Sequence, residues 1–244
     1  LCHGASLAHS TRRLARNREP TLTPAHLPPF SSGTEWAWGV LVGQPRIILV
    51  DVSEASLHQA RTRVEGVDFR QADLFDLDGE YDHVFVCFVL EHLPEPEKAL
   101  AHLKTLLRPG GTITVIEGDH GSAFFHPRSE PAQAAIDCLV RLQADAGGDA
   151  LIGRRLFPLL TGAGFGDVRA EPRTIYADAS RPELVAGFTR DTFTAMVEGV
   201  GETAVARGLI TQERWDHSVA DLHRTTGEDG TFCYTFFKAT GSRP

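Results

Sequence analysis

The sequence predicts an α/β protein: a doubly wound, mostly parallel sheet with a helical cap inserted before the last strand. Three observations predict it. From Arg46 onward, short β-rich runs alternate with helical patterns. The runs are continuously apolar, as in strands covered on both faces. A long helical stretch, 182–225, then adds no strand before a final β pattern over 230–239.

Each element has its own local reason. The strand Arg46-Ile-Ile-Leu-Val50 ends on Asp51, and a helical pattern follows over 54–64. Residues 67–71 form a short strand and 72–78 a polar loop. The run 81–88 has the apolar continuity of a buried parallel strand. Over 95–107, Ala99, Leu100, Leu103, Leu106 and Leu107 recur at helical spacing. Arg108-Pro-Gly-Gly111 stops that helix, and 112–117 is the next strand. Residues 129–143 and 154–162 read as helices, and Gly164-Phe-Gly166 leads into a strand at 167–171.

Four regions follow. Residues 1–45 are expected to be irregular or atypical, because Pro20, Pro24, Pro28 and Pro29 break any long helix. Residues 46–175 form a ligand-binding core, 176–229 a helical cap, and 230–244 the last strand with a tail.

Bulk composition narrows the function. A chain of 244 residues, 42% hydrophobic and 23% charged, can bury a full core and has the balance of a soluble globular protein. A net charge of −8 argues against a nucleic-acid backbone or an anionic membrane as main partner. Arg12, Arg13, Arg16 and Arg18 are interleaved with Pro and Ser, not aromatics, and read as a solvated tail. No apolar run approaches a membrane span, and no signal peptide is recognisable. Cys2, Cys87, Cys138 and Cys233 show no CxxC spacing, and are expected as free thiols in a reducing cytoplasm.

Asp51 is the first residue with chemical meaning. An acid at the tip of a buried strand, facing a helix, is how doubly wound proteins hold a ribose; the alternative is a helix N-cap. Four stretches widen the reading: Ile48-Leu-Val-Asp-Val-Ser53, Gln71-Ala-Asp-Leu-Phe-Asp76, Tyr81-Asp-His-Val-Phe-Val-Cys-Phe-Val-Leu-Glu-His-Leu93 and Leu107-Arg-Pro-Gly-Gly-Thr112. In this order and spacing the chain resembles the class I S-adenosylmethionine-dependent methyltransferases, which have a Rossmann-like fold.

The resemblance implies S-adenosylmethionine as cofactor and a small-molecule methyl acceptor. It places Asp51 and Val52 at the ribose, and Ala72, Asp73 and Leu74 at the adenine. Asp73 would accept from the adenine amino group while Leu74 packs on the ring face; otherwise Asp73 is an exposed loop acid. Cys87 and Phe88 fall at the methionine part, or in Cys87's case are plain core. His92 reads as a turn residue.

Glu117, Asp119 and His120 lie just past the fifth strand, at the edge where such sheets bind ligands. His120 is the candidate catalytic residue, since an imidazole can take a proton near neutrality; the alternative is a loop or substrate-shaping role. His120 and His126 with these acids fit no recognised zinc spacing, so no metal is expected. Phe188, Phe193, Met196 and Trp215 would line the acceptor pocket or form the cap's core.

One family element is missing. The first strand should end in a Gly-x-Gly-x-Gly-like turn, which lets backbone approach the cofactor. The only candidate is Trp38-Gly-Val-Leu-Val-Gly43, three residues before the next strand, too short for a parallel crossover. Two rivals therefore stand beside the enzyme: a cofactor-deficient relic or partner-binding protein, and a nicotinamide-dependent oxidoreductase. The latter would use Tyr234 and Lys238, which need a helix to meet, whereas their aromatic neighbours favour a strand.

A reading-frame slip is one explanation of the missing turn, a native but divergent N-terminus the other. Read from the third base of Glu35, the permitted codons allow a string such as Val-Gly-Leu-Gly-Cys-Ala-Gly-Gly. On the frame-slip explanation, sequencing the gene upstream of codon 46 shows such a string in the shifted frame. An intact frame without one removes this explanation.

Overall fold

The computed structural model describes residues 46–244 and, in the segment before them, the backbone of Ala5–Ser10. The chain orders as β1 (Ala5–Ser10), β2 (Arg46–Asp51), α1 (Glu54–Arg61), β3 (Val67–Gln71), β4 (Tyr81–Cys87), α2 (Pro96–Leu106), β5 (Leu107–His126) and α3 (Glu130–Asp145). Then come α4 (Leu156–Gly162), β6 (Gly166–Asp178), α5 (Pro182–Leu184), a π-helical stretch (Val185–Thr194), α6 (Ala195–Glu198), α7 (Gly201–Ala206), α8 (Gln212–Arg224) and β7 (Thr231–Ser242).

One seven-stranded sheet runs β3-β2-β1-β4-β5-β7-β6. The α/β class and the doubly wound build hold. The sheet is mixed rather than mostly parallel: β2 with β3 and β4 with β5 are parallel, while β1 and β7 run antiparallel to both of their neighbours. Ala5–Ser10 also departs from the irregular segment expected over 1–45, because its backbone pairs with Arg46–Val50 and with His83–Cys87. The glycine candidate over 38–43 lies outside the described residues.

Helices cover both faces. On one, α2 and α4 pack Leu100, Leu103, Leu156 and Leu160 onto Ile48, Val84, Val86, Ile113 and Val115. On the other, α1 sets Leu57 against Leu49, and α3 with the cap closes over Phe232, Tyr234 and Phe236 of β7. The strict alternation along β7 follows from strand geometry, with even positions facing the cap and Phe237 and Ala239 facing the opposite core.

The cap departs from plain α-helix. Its π-helical stretch has the wider i→i+5 turn, and the Thr192 hydroxyl donates to the Gly187 carbonyl at 2.6 Å. That spacing brings Phe188 and Phe193 to one side, ring centroids 6.5 Å apart. The stretch holds both rings against Tyr234, at 5.5 and 5.4 Å.

Leu100 is fully buried at the centre of the α2 face. Leu100→Ala is expected to cost about 2–5 kcal/mol, from lost burial and a residual cavity. Urea unfolding checks this through a lower midpoint with an unchanged slope.

Candidate functional site

The ligand edge begins where the parallel strands end. Asp51 closes β2 with 3% of its surface exposed, and its Oδ1 accepts the Ser53 N–H at 2.7 Å. The N-cap of α1 is Ser53, whose Oγ accepts from Ser56 N–H, so Asp51 is a strand-end acid and not a cap. Val52 beside it is 56% exposed, and its carbonyl accepts from the Gln71 side chain at 3.1 Å. Ala72 N–H donates to the Asp51 carbonyl at 3.3 Å, which ties the tips of β2 and β3 together.

The next loop is self-contained. Asp73 caps a short 3-10 turn (Leu74–Asp76), its Oδ1 accepting from Phe75 N–H at 2.9 Å. Asp73 is exposed, whereas Leu74 is buried in the core under α2. Leu74 thus supports the loop from below.

At the end of β4, Cys87 is buried and Phe88 turns into the left-handed region with φ +54°. A bulky residue there is uncommon and needs surrounding structure to hold it. Two contacts do so: Phe88 N–H donates to the Ile116 carbonyl at 3.0 Å, and Glu117 Oε1 accepts from Val89 and Leu90 N–H at 3.0 and 2.8 Å. Burial, then Glu117 and Glu91, push the Cys87 thiol well up, so it stays protonated.

Beyond Glu117, β5 carries a second constellation on alternating faces. Asp119 makes a bidentate pair with Arg154, at 2.8 and 2.6 Å. His120 is 5% exposed, and its Nδ1 lies 2.7 Å from the Tyr234 hydroxyl. Its Nε2 is 3.7 Å from Glu91 Oε2. Gly118 is a close-approach position, since a β-carbon there would fall on the Tyr234 hydroxyl. Tyr234 and Lys238 both lie on β7, so the helix pairing of the oxidoreductase reading is not formed.

Charge behaves here as burial requires. Burial lowers the His120 pKa to about 4, with His92 adding to the effect. Burial, then Glu91 and Asp119, raise Tyr234 well above the usual phenol range. Tyr234 is therefore the donor to His120 Nδ1, which places the ring proton on Nε2. Burial raises Glu91 to about 7, partly offset by Gln143. Burial, then Glu91, raise Glu117 well above the usual carboxylate range, against the opposing pull of the Leu90 and Val89 N–H groups.

The edge therefore brings together Asp51, Val52 and Ala72 at one end, Cys87 and Phe88 at the middle, and Glu117 and His120 beyond. Asp73 stays at the rim. Phe188, Phe193 and Trp215 are buried in the cap's core. Glu91, given no role by sequence reasoning, and Tyr234, weighed there only for the oxidoreductase reading, also stand at this edge. Glu91 had a usable signal, an acid immediately after a buried apolar run; the pairing of Tyr234 with His120 had none, because the two lie 114 positions apart. Among the described residues no cluster of His, Cys, Asp and Glu is arranged to hold a metal, and no helix is long and apolar enough to cross a membrane.

Known proteins match this chain. A family profile described as a methyltransferase domain matches residues 30–115. A Streptomyces fradiae protein, described as an uncharacterized 37.1 kDa protein in transposon TN4556, is 31% identical over 191 residues, 72% of this chain and 51% of that protein. The Yersinia pestis ubiquinone/menaquinone biosynthesis C-methyltransferase UbiE is 34% identical over 107 residues, 40% of each chain. The solved structure of YcgJ from Bacillus subtilis is similar with a TM-score of 0.46 at 12% identity, over 80% of each chain. The chain spans about half the length of the first of these relatives, and less of the second.

Two outcomes test this geometry. Gly118→Ala is expected to displace the Tyr234 hydroxyl and destabilise the fold by about 1–3 kcal/mol, read by urea unfolding. Glu91 binds its proton more tightly folded than unfolded, so its contribution to stability is full below its unfolded value. That contribution is lost as pH rises through about 7. Glu91→Gln is therefore expected to gain stability relative to the parent as pH goes from about 5 to 8; a pH-independent difference would contradict this.

Proposed function

We propose that this chain, whose core is a class I S-adenosylmethionine-dependent methyltransferase domain, transfers a methyl group to a small-molecule acceptor held between the sheet edge and the cap. One observation carries the reading: the buried Asp51 carboxylate stands at the tip of β2, beside the tip of β3 and across β1 from the tip of β4. That is the crevice in which open α/β sheets bind nucleotide-like ligands.

The residues present fit the cofactor on the sides they line. Asp51 would take the two ribose hydroxyls, oriented by its bond from Ser53 N–H, with Val52 exposed against the sugar and base. Ala72, Asp73 and Leu74 would frame the adenine, Asp73 at its amino edge and Leu74 supporting the loop from the core. Cys87 and the left-handed Phe88 would shape the methionine end. When bound, S-adenosylmethionine supplies a methyl group on a positively charged sulfur.

The chain's remaining task is placement, because in-line geometry supplies much of the barrier reduction in such transfers. His120, neutral and carrying its proton on Nε2, would orient the acceptor by hydrogen bonding, with Tyr234 holding the ring. The cap rings Phe188 and Phe193 exclude water behind it. The net charge of −8 favours a small molecule over nucleic acid or an anionic membrane. Buried free Cys87, Cys138 and Cys233 suit a reducing cytoplasm.

A second reading is favoured by one observation. β1 runs antiparallel, with Ala5 beside Cys87, so the strand begins and does not end at the ligand edge. A non-catalytic, partner-binding protein with this fold would tolerate that direction.

Calorimetric titration with S-adenosylhomocysteine separates the two. Binding is expected, and Asp51→Ala is expected to weaken it about 10- to 100-fold, the value of charge-assisted bonds to the ribose. Asp73→Ala should weaken it less. Undetectable binding by the parent chain overturns the enzyme reading.

A further inference from the structure

The carboxyl edge of the sheet holds two buried carboxylates that cofactor placement does not use. Glu91 is 4% exposed and Glu117 is fully buried. One oxygen of each faces a partner: Glu117 Oε1 takes the Val89 and Leu90 N–H groups, and Glu91 Oε1 lies 3.5 Å from His92 Nε2. The other oxygens, Glu91 Oε2 and Glu117 Oε2, are buried without a hydrogen-bond partner. His120 Nε2, at 3.7 Å from Glu91 Oε2, is beyond hydrogen-bond distance.

Among the described residues the surroundings supply little positive charge. The Arg154 guanidinium at this edge is engaged by Asp119. His120 is held neutral by burial, Tyr234 and Cys87 stay protonated, and His92 faces the other Glu91 oxygen. Rings complete the wall. Phe193 and Tyr234 lie 6.1 and 5.9 Å from His120, and Phe188 and Phe236 lie 5.5 and 4.7 Å from Tyr234. Glu91 is fixed from behind, its carbonyl accepting from Asp149 N–H and the Gln143 side chain at 2.8 and 3.0 Å.

An ionised carboxylate buried without a partner is strongly unfavourable, and aromatic faces attract cations. A protonated amine satisfies both conditions; a neutral hydroxyl can donate a hydrogen bond but brings no positive charge, and an anion satisfies neither. We propose that the methyl acceptor is an amine, whose ammonium group lies on Glu91 Oε2 against the His120–Tyr234 wall and gives its proton to Glu91 before nitrogen takes the methyl. The proposal rests on the methyltransferase reading and names its substrate class.

The step balances. Glu91 takes the N–H proton, and the freed lone pair forms the nitrogen–carbon bond. The carbon–sulfur bond breaks with its electrons on sulfur, so the positive charge passes from sulfur to nitrogen and S-adenosylhomocysteine is released. A Glu91 titrating near neutrality is matched to that proton transfer.

Calorimetry on the full chain tests this with phenethylammonium chloride and its neutral isostere 2-phenylethanol, with and without S-adenosylhomocysteine. The amine is expected to bind about tenfold or more tightly than the alcohol, as one charge-assisted bond provides. At pH near 7 its binding should release protons, read as a heat that changes with the buffer's ionisation enthalpy. Glu91→Gln should lose the preference and the proton release while binding S-adenosylhomocysteine as the parent does. Glu91→Asp should keep the preference, which separates charge from packing. Equal affinity for amine and alcohol, no amine binding, or an undiminished preference in Glu91→Gln overturns the proposal and leaves the cofactor reading standing. Absent S-adenosylhomocysteine binding overturns that reading and the transfer step with it, while the cofactor-free amine arm still reports on the charge site.

Discussion

The site depends on how the end of β5 grips the turn after β4. Glu117 is fully buried, and its Oε1 takes the N–H groups of Val89 and Leu90. Those donors belong to the turn that follows the left-handed Phe88. Without an acceptor they would be orphaned where water is scarce, and Phe88 would have less to hold it in an unfavourable region. The same turn carries Glu91, whose carbonyl is tied to Asp149 and Gln143 at the end of α3. One buried acid therefore couples the sheet's edge, the turn and the cap side of the molecule.

That arrangement carries an electrostatic cost. Burial raises the proton affinity of both Glu117 and Glu91, Glu91 raises that of Glu117 further, and no arginine or lysine in the described structure pairs with either. Elsewhere the chain neutralises its acids: Asp119 has Arg154, and Asp149 has Arg155. Placing two acids without such partners beside a neutral histidine and several aromatic rings is unfavourable for the empty fold. Proteins hold such groups mainly where they serve a ligand. The glycines nearby show the same close fit: a β-carbon at Gly148 would collide with the Glu91 carbonyl, and one at Gly153 would stand 2.7 Å from the Gly118 carbonyl oxygen.

Much of this was legible in the order of residues. The strand-helix alternation from Arg46 to Gly162 matched the observed elements except at β5, expected over 112–117 and observed over Leu107–His126, so that Asp119 and His120 lie within the strand and not past it. Continuous apolar runs and 3.6-residue spacing are local properties, whereas the extra length of β5 comes from pairing with β7. Asp51 could be located at a strand tip for the same reason. Strand direction could not, since Ala5–Ser10 pairs with partners some forty and eighty residues away and its own pattern says nothing of orientation. The length of β6 was also hidden. Its exposed middle, Arg169 to Arg173, has no apolar signal, and only pairing with β7 makes it a strand.

The sequence by itself determined the α/β class, the tips of β2 and β4, and the residues that can approach a nucleotide-like ligand. These follow from periodicity and from the chemistry of an acid at a strand end. Only the tertiary structure decided which buried groups meet. His120 and Tyr234 are 114 positions apart, Glu91 and Gln143 are 52 apart, and Phe188 and Phe193 converge because the cap takes a π-helical turn. Contacts of that range depend on the register between strands and on how the cap closes over them. Local propensity carries no information about either, and desolvation on closure is what turns Glu91, Glu117, His120 and Tyr234 from ordinary side chains into one site.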